Sequence, residues 1–186
     1  MTLVALDACG RYTISALKRG DAPALYAVSD ANVGAVRSVY SSMDRVLEKG
    51  EIKAADLDAI VVNTGPGSWT NTRVAVTYVA GLAFGAEAKA FGFSGFAIGK
   101  AFTEGGVAFI DQLGKTVTEQ GAPAAQQTIE LFAEIGADDF LSRRQAWLDV
   151  MLRLGADAMA SGRPGDPVEL QTTYFQEFLA GARNKA

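Results

Sequence analysis

The sequence predicts an α/β fold, a mixed sheet flanked by helices and followed by a smaller second lobe. Three observations carry that prediction. Short aliphatic and β-branched runs open the chain at strand length, and an amphipathic segment follows them. Then "LDAIVVNTG" at 57–65 is a continuous apolar run of the kind found in a strand covered on both faces.

In chain order, "LVALDA" (3–8) and "YTISAL" (12–17) are separated by "CGR" and read as a hairpin. After a "GDAP" turn, "ALYAV" (24–28) gives a third strand. Between Val33 and Lys49, apolar residues fall at Val33, Val36, Val39, Tyr40, Met43, Val46 and Leu47, the three-and-four spacing of one helix face, and Gly50 ends it. The 57–65 strand comes next. Residues 70–86, "TNTRVAVTYVAGLAFGA", are long enough for a helix and contain one charged side chain, Arg73. Ala75, Ala80, Gly81 and Ala83 interleave with larger apolar residues, so no side of this helix is polar. A helix apolar all round is normally buried all round, and its outward side needs cover from the second half of the chain or from another chain. "KAFGF" (89–93) reads as a fifth strand and 94–102 as a short helix.

The second half is patterned more thinly. "GVAFID" (106–111) and "KTVTEQ" (115–120) read as a two-stranded ribbon, and helices are expected over 124–135 and 138–154. "SGRPGDP" (161–167) is a loop, and the chain closes with a short element and a polar end. The composition shift near Gly105 divides the chain into lobes at 1–104 and 105–186.

Composition narrows the function. A chain of 186 residues, 49% hydrophobic, can bury about two-thirds of its unfolded surface, enough for one large core or two small lobes. Its 17 basic and 21 acidic residues give a net charge of −4, and no window gathers the Lys/Arg density a phosphate backbone demands. Direct nucleic-acid binding is therefore not expected. Cys9 is the only thiol and reads as a small buried residue in a reducing compartment. The opening "MTLVALDACG" has no basic leader and reaches Asp7 after four apolar residues, so neither a signal peptide nor a membrane span is expected, and the protein should be cytoplasmic. Histidine is absent, which removes the commonest general base and excludes Ser-His and Cys-His hydrolases. With one cysteine besides, a zinc site is not expected.

The stretch "VVNTGPGSWTNTRVAV" (61–76) places two glycines and a proline where a buried strand meets a buried helix. Two readings stand side by side. Gly65 and Gly67 let a ligand approach the backbone, and the free amides at the helix start, with Ser68, attract a phosphate. Alternatively the glycines supply turn dihedrals, Pro66 stiffens the turn, and Ser68 or Thr70 caps the helix. We lean to the second. A Walker loop is not available, because no Lys precedes the hydroxyl residues. Arg73, in the first turn, opposes the helix dipole by about 0.3–1 kcal/mol and calls for a compensating carboxylate or anion nearby; Asp7 and Asp58 are the candidates, in a structural ion pair in preference to a substrate contact. Asp7 itself sits where many nucleotide-binding folds place an acidic residue to organise a metal and phosphate.

Residues 3–17 and 57–102 resemble the TsaB/YeaZ family, the actin-like, non-catalytic partner subunit in bacterial synthesis of threonylcarbamoyladenosine on tRNA. The family pattern has a strand ending in Gly-Pro-Gly-Ser-Phe-Thr-Gly-x-Arg and a small-residue helix closing in Gly-Leu-Ala-x-Gly. Here Gly65, Pro66, Gly67, Ser68, Thr70 and Arg73 match by position, as do Gly81, Leu82, Ala83 and Gly85. Trp69 replaces Phe, Asn71 replaces Gly, Ala75 stands where Gly is usual, and Ala8-Cys9 replaces Thr-Ser. Ala80 stands where Lys is common, and Gln176 where an Arg is expected. Larger side chains at 69 and 71 crowd any phosphate, which weakens nucleotide binding more than the fold. Beyond Gly105 the resemblance fades.

The resemblance implies an actin-like (ASKHA, ribonuclease H-like) sheet and an accessory rather than catalytic role, with no catalytic residue. It implies that helices 33–49 and 70–86 pack on the equivalent helices of a catalytic, TsaD-type paralogue, or on a second copy as a homodimer. Val36, Tyr40, Met43, Arg73, Tyr78 and Leu82 are the residues assigned to that surface. A small TsaE-type ATPase is a further implied partner. A rival reading makes the chain a nucleotide-dependent phosphotransferase or hydrolase, with Asp7, Gly65, Gly67 and Ser68 on ATP or ADP and magnesium. A third makes it a divergent relative outside the tRNA pathway.

Overall fold

The computed structural model describes residues 1–30, 33–103, 105–110, 115–119, 125, 127–130 and 140–173. Five of its strands form one sheet in the order β3-β2-β1-β4-β5: β1 (Thr2–Asp7), β2 (Ile14–Arg19), β3 (Leu25–Val28), β4 (Ala59–Asn63) and β5 (Lys89–Phe93). The first three run antiparallel as a meander, while β4 lies parallel to β1 and to β5.

Alternation along the strands builds two cores. Val4 and Leu6 of β1, with Ile60 and Val62 of β4, face the helices α1 (Ala35–Lys49) and α2 (Trp69–Ala86). Leu3, Ala5, Ala59 and Val61 point the other way, onto Trp147, Leu148 and Met151. Those three belong to a long helix, Phe140–Ala160, and are joined there by Phe96 and Ile98 of α3 (Gly95–Thr103). With both faces covered, β1 and β4 have no need of a polar side, hence their continuous apolar sequence. The long helix, α4, crosses the sheet on the face opposite α2, and of the described residues beyond it the short turn Pro167–Glu169 meets α2.

Helix α1 is mounted on the hairpin through buried hydroxyls as well as apolar contacts. Ser38 Oγ donates to Thr13 Oγ1 at 2.5 Å, and Ser15 Oγ donates to the Ser42 carbonyl at 2.7 Å. Each buried hydroxyl is thereby satisfied, as burial requires.

A second, small sheet has the order β7-β6-β8, from β6 (Val107–Ile110), β7 (Thr116–Thr118) and β8 (Gln127–Glu130). The expected ribbon is the antiparallel β6–β7 pair. The helix expected over 124–135 is contradicted at 127–130, which pair parallel to β6. The free edge of β6 offers main-chain partners, and that tertiary pairing overrides the weak helix preference of "AAQQTIE". The other residues of that span, apart from 125, lie outside the described residues. Helix α4 continues past Leu154 to Ala160, through Gly155. A Cβ at Gly155 would overlap Val61 Cγ2, so the glycine is what lets α4 approach β4 closely.

Beyond α4 the chain returns along β5. The Gly165 carbonyl accepts from Ala90 N–H at 2.9 Å, and Thr173 N–H donates to the Thr64 carbonyl at 2.7 Å. Arg163 lies 5.3 Å from the ring centre of Phe93 and 5.7 Å from that of Phe91. The closing element expected after this stretch, with Gln176, lies outside the described residues.

Candidate functional site

The Gly-Pro-Gly turn joins β4 to α2 and is held by groups of the chain itself, with Gly67 exposed at its surface. Gly65 takes a left-handed φ of +116°, donates its N–H to Asn63 Oδ1 at 3.1 Å and accepts from Gly95 N–H at 2.6 Å. A Cβ there would lie 2.8 Å from the Thr173 carbonyl oxygen. Gly67 packs on Cys9 so tightly that a Cβ would overlap that residue's carbonyl oxygen and Cβ. Ser68 N–H donates to the Cys9 carbonyl at 2.8 Å, and Ser68 Oγ accepts from Asn71 N–H at 3.4 Å as the helix cap. The closeness that the glycines permit is thus filled by Cys9 and Thr173.

Asp7, at the end of β1, is fully buried, on the α4 side of the sheet. Its Oδ1 accepts from Cys9 N–H at 2.8 Å. Its Oδ2 accepts from Trp147 Nε1–H at 2.8 Å and Asn63 Nδ2–H at 3.1 Å, and pairs with Arg144 Nη2 at 3.3 Å. Four donors therefore converge on one carboxylate, which is how a buried charge is tolerated. Arg144 is itself buried, and its Nε has no hydrogen-bond partner among the described residues. Cys9 Sγ accepts from Thr72 Oγ1 at 3.5 Å, and burial, reinforced by the Asp7 charge, pushes the thiol pKa up. Among the described residues no group of three or more His, Cys, Asp or Glu could hold a metal ion, and no helix is long and apolar enough to cross a membrane.

The expected partner of Arg73 is corrected by this geometry. Asp7 pairs with Arg144, and Asp58 accepts the Thr2 amide at 2.6 Å. Arg73 instead lies over the Trp69 ring, 5.3 Å from its centre, one turn away on the same exposed stretch of α2.

On the opposite side of the sheet, α1 and α2 enclose a groove of about 680 Å³ lined by Val36, Tyr40, Arg73, Val74, Thr77, Tyr78, Gly81 and Leu82. Five of the six residues assigned to an interface meet there: Val36, Tyr40, Arg73, Tyr78 and Leu82. Met43 does not; it is fully buried among Val39, Val46 and the sheet. Val36 is 59% exposed and Tyr40 50%, and at the helix end Phe84 is 74% exposed. Tyr40 and Tyr78 meet edge to face at 4.6 Å. Desolvation, then the nearby Asp44 and Tyr40, raises the Tyr78 pKa to about 12.

Sequence reasoning missed Arg144 and Trp147, the two α4 residues that complete the Asp7 cluster. The available signal was slight: a guanidinium and an indole on a helix whose remaining inward residues are aliphatic. It also missed Phe84, the most exposed aromatic residue of α2.

The five-stranded mixed sheet with helices on both faces has the actin-like fold. Among solved structures the chain is similar to YeaZ from Pseudomonas aeruginosa, with a TM-score of 0.67 and 18% identity over 94% of this chain and 99% of that one. It is equally similar to an uncharacterized protein, described as resembling peptidase YEAZ, from Pseudomonas aeruginosa, with a TM-score of 0.68, 19% identity and the same coverage. The TsaD family, described as tRNA N6-adenosine threonylcarbamoyltransferase, matches residues 34–96. No curated protein matches the sequence.

Proposed function

We propose that the chain is a divergent member of the TsaB/YeaZ family. In this reading it is a non-catalytic partner subunit that supports threonylcarbamoyl transfer to tRNA adenosine by docking on a TsaD-type catalytic paralogue. The observation that carries this reading is the α1–α2 groove, where apolar side chains of both helices stand open to solvent. Exposed apolar patches of this kind, rimmed by a charge such as Arg73, mark surfaces that bind other proteins. The family match over 34–96 spans α1, β4, α2 and β5, and so includes both helices that build the groove.

Without the paralogue, the same surface would serve a homodimer, and a small TsaE-type ATPase would join the assembly. The cell compartment in this reading is the cytoplasm. Asp7, Gly65, Gly67 and Ser68 act as structural residues here. Each is engaged by the chain's own groups, which favours this role over that of a magnesium and phosphate site.

Calorimetric titration of the purified chain with the catalytic paralogue, together with size-exclusion chromatography of each alone and mixed, tests the reading. Saturable binding and a co-eluting complex are expected. A chain that stays monomeric and leaves the paralogue unbound would exclude it, and failure to restore the modified nucleoside in a strain depleted of its own subunit would place the protein outside the tRNA pathway.

A further inference from the structure

The parallel pairing of β1 with β4 ends at Leu6 and Val62. Past that point the two strand ends are joined to each other by side chains. Asp7 receives Asn63 Nδ2–H, and Asn63 Oδ1 receives Gly65 N–H. The other oxygen of Asp7 holds the Cys9 amide, the Cys9 carbonyl holds the Ser68 amide, and the Cys9 sulfur accepts from Thr72. Ser68 caps α2 and Thr72 lies in its first turn, so the start of the groove helix hangs on this chain of bonds. Asp7, Asn63, Cys9 and Thr72 are buried, which keeps water from substituting for a bond lost among them, and Ser68 is half-buried at the surface end.

The opposite end of the chain of bonds is Trp147. Its ring is fixed edge-on by Phe102 of α3 at 5.8 Å and Phe109 of β6 at 6.1 Å, and its indole N–H reaches Asp7 Oδ2 at 2.8 Å. We propose that Trp147 is a positioning residue for the first turn of α2, acting through Asp7 and Cys9 across the thickness of the sheet. Packing of the second sheet and α3 against α4 thereby sets where Arg73, which lies over the Trp69 ring, stands in the groove lining. That consequence for docking rests on the assembly reading above; the dependence of the turn on Trp147 does not.

Amide exchange on the full chain, resolved residue by residue, tests the relay. Trp147→Phe keeps the ring and removes the donor. Exchange at Ser68, Asn71 and Thr72 should then speed about tenfold relative to Val79 and Ala83 in the same helix. Leu148→Ala, a cavity beside Trp147 with no member of the relay removed, should move both sets together. Equal movement of the two sets in Trp147→Phe, or a selective effect from Leu148→Ala, overturns the proposal. Should Trp147→Phe not fold, Thr72→Val is read at the other end: because coupling is reciprocal, the Trp147 indole N–H should exchange faster, and an unchanged indole N–H overturns the proposal equally. Docking is tested separately, by titrating the unsubstituted chain with the paralogue, and Tyr40→Asp is the variant expected to lose it. A missing relay with docking intact rejects this inference alone, and an intact relay with docking absent rejects the assembly reading alone.

Discussion

Gly67 and Cys9 stand in direct backbone contact: the place a Cβ of Gly67 would occupy is taken by the Cys9 carbonyl oxygen and side chain. The Gly67→Ala chain must push the β1–β2 connection away from α2. We expect a loss of about 1–3 kcal/mol, typical of overpacking a tight site, measured by urea unfolding. Gly85→Ala is the counterpart. Nothing lies within 4 Å of a Cβ there, and the residue is inside α2, so a gain of about 0.5–1 kcal/mol is expected.

Asp7→Asn keeps the shape of the carboxylate and removes its charge, leaving Arg144 buried beside a neutral amide. Breaking one side of a buried pair costs about 3–5 kcal/mol, and the loss should show as an earlier urea midpoint. In the intact protein the same carboxylate already has four donors. Titration with magnesium and ATP, followed by the fluorescence of Trp69 beside the turn, should give no saturable change. A magnesium-dependent, saturable signal that Asp7→Ala abolishes would support the phosphotransferase reading.

Substitutions on α1 should separate surface from core. Tyr40→Asp, at a half-exposed position, should abolish partner or self-association at a cost of about 0.5–1.5 kcal/mol in stability, the worth of its ring contact with Tyr78. Met43→Ala, one turn further along the helix and fully buried, should cost about 2–5 kcal/mol with no selective effect on association. Thermal melts paired with sedimentation of each variant distinguish the two outcomes.

Stability should fall in strong alkali through tyrosine ionisation. Tyr78 and Tyr26 have pKa values raised to about 12 in the folded chain, from an ordinary value of 10.0. The cause at Tyr26 is desolvation followed by its hydrogen bond to Asp149 Oδ1 at 2.6 Å. Below pH 10 both states hold these protons and the contribution is fully present. Between pH 10 and about 12 the unfolded chain releases them while the folded chain retains them, so the unfolded state binds fewer protons and stability declines with pH. Melting temperatures across that window should drop less steeply in Tyr78→Phe and Tyr26→Phe.

The main sheet was legible because its strands carry their burial in their composition. Leu3 to Leu6 and Ile60 to Val62 are apolar at every position, which only a strand covered on both faces requires. The placement of Met43 was not legible. The apolar stripe of α1 is wide enough to serve two surfaces, and spacing alone does not say that Val39, Met43 and Val46 face the sheet while Val36 and Tyr40 face out. The partners of Asp7 were hidden for another reason. Trp147 lies 140 positions away, and a pairing of that range leaves no local pattern to read. Strand β8 was misread because its residues favour neither state strongly, and the decision falls to the edge it joins.

The bond from Ala90 to Gly165 reaches past the fold of one molecule. Strand β5 is the outermost member of the large sheet on that side, and an open border of main-chain groups invites another chain to add itself there. By laying its own later segment along this border, with Arg163 over Phe91 and Phe93, the protein shields it from strand addition. A chain cut short after Ala160 would lose that guard and should form sheet-rich aggregates.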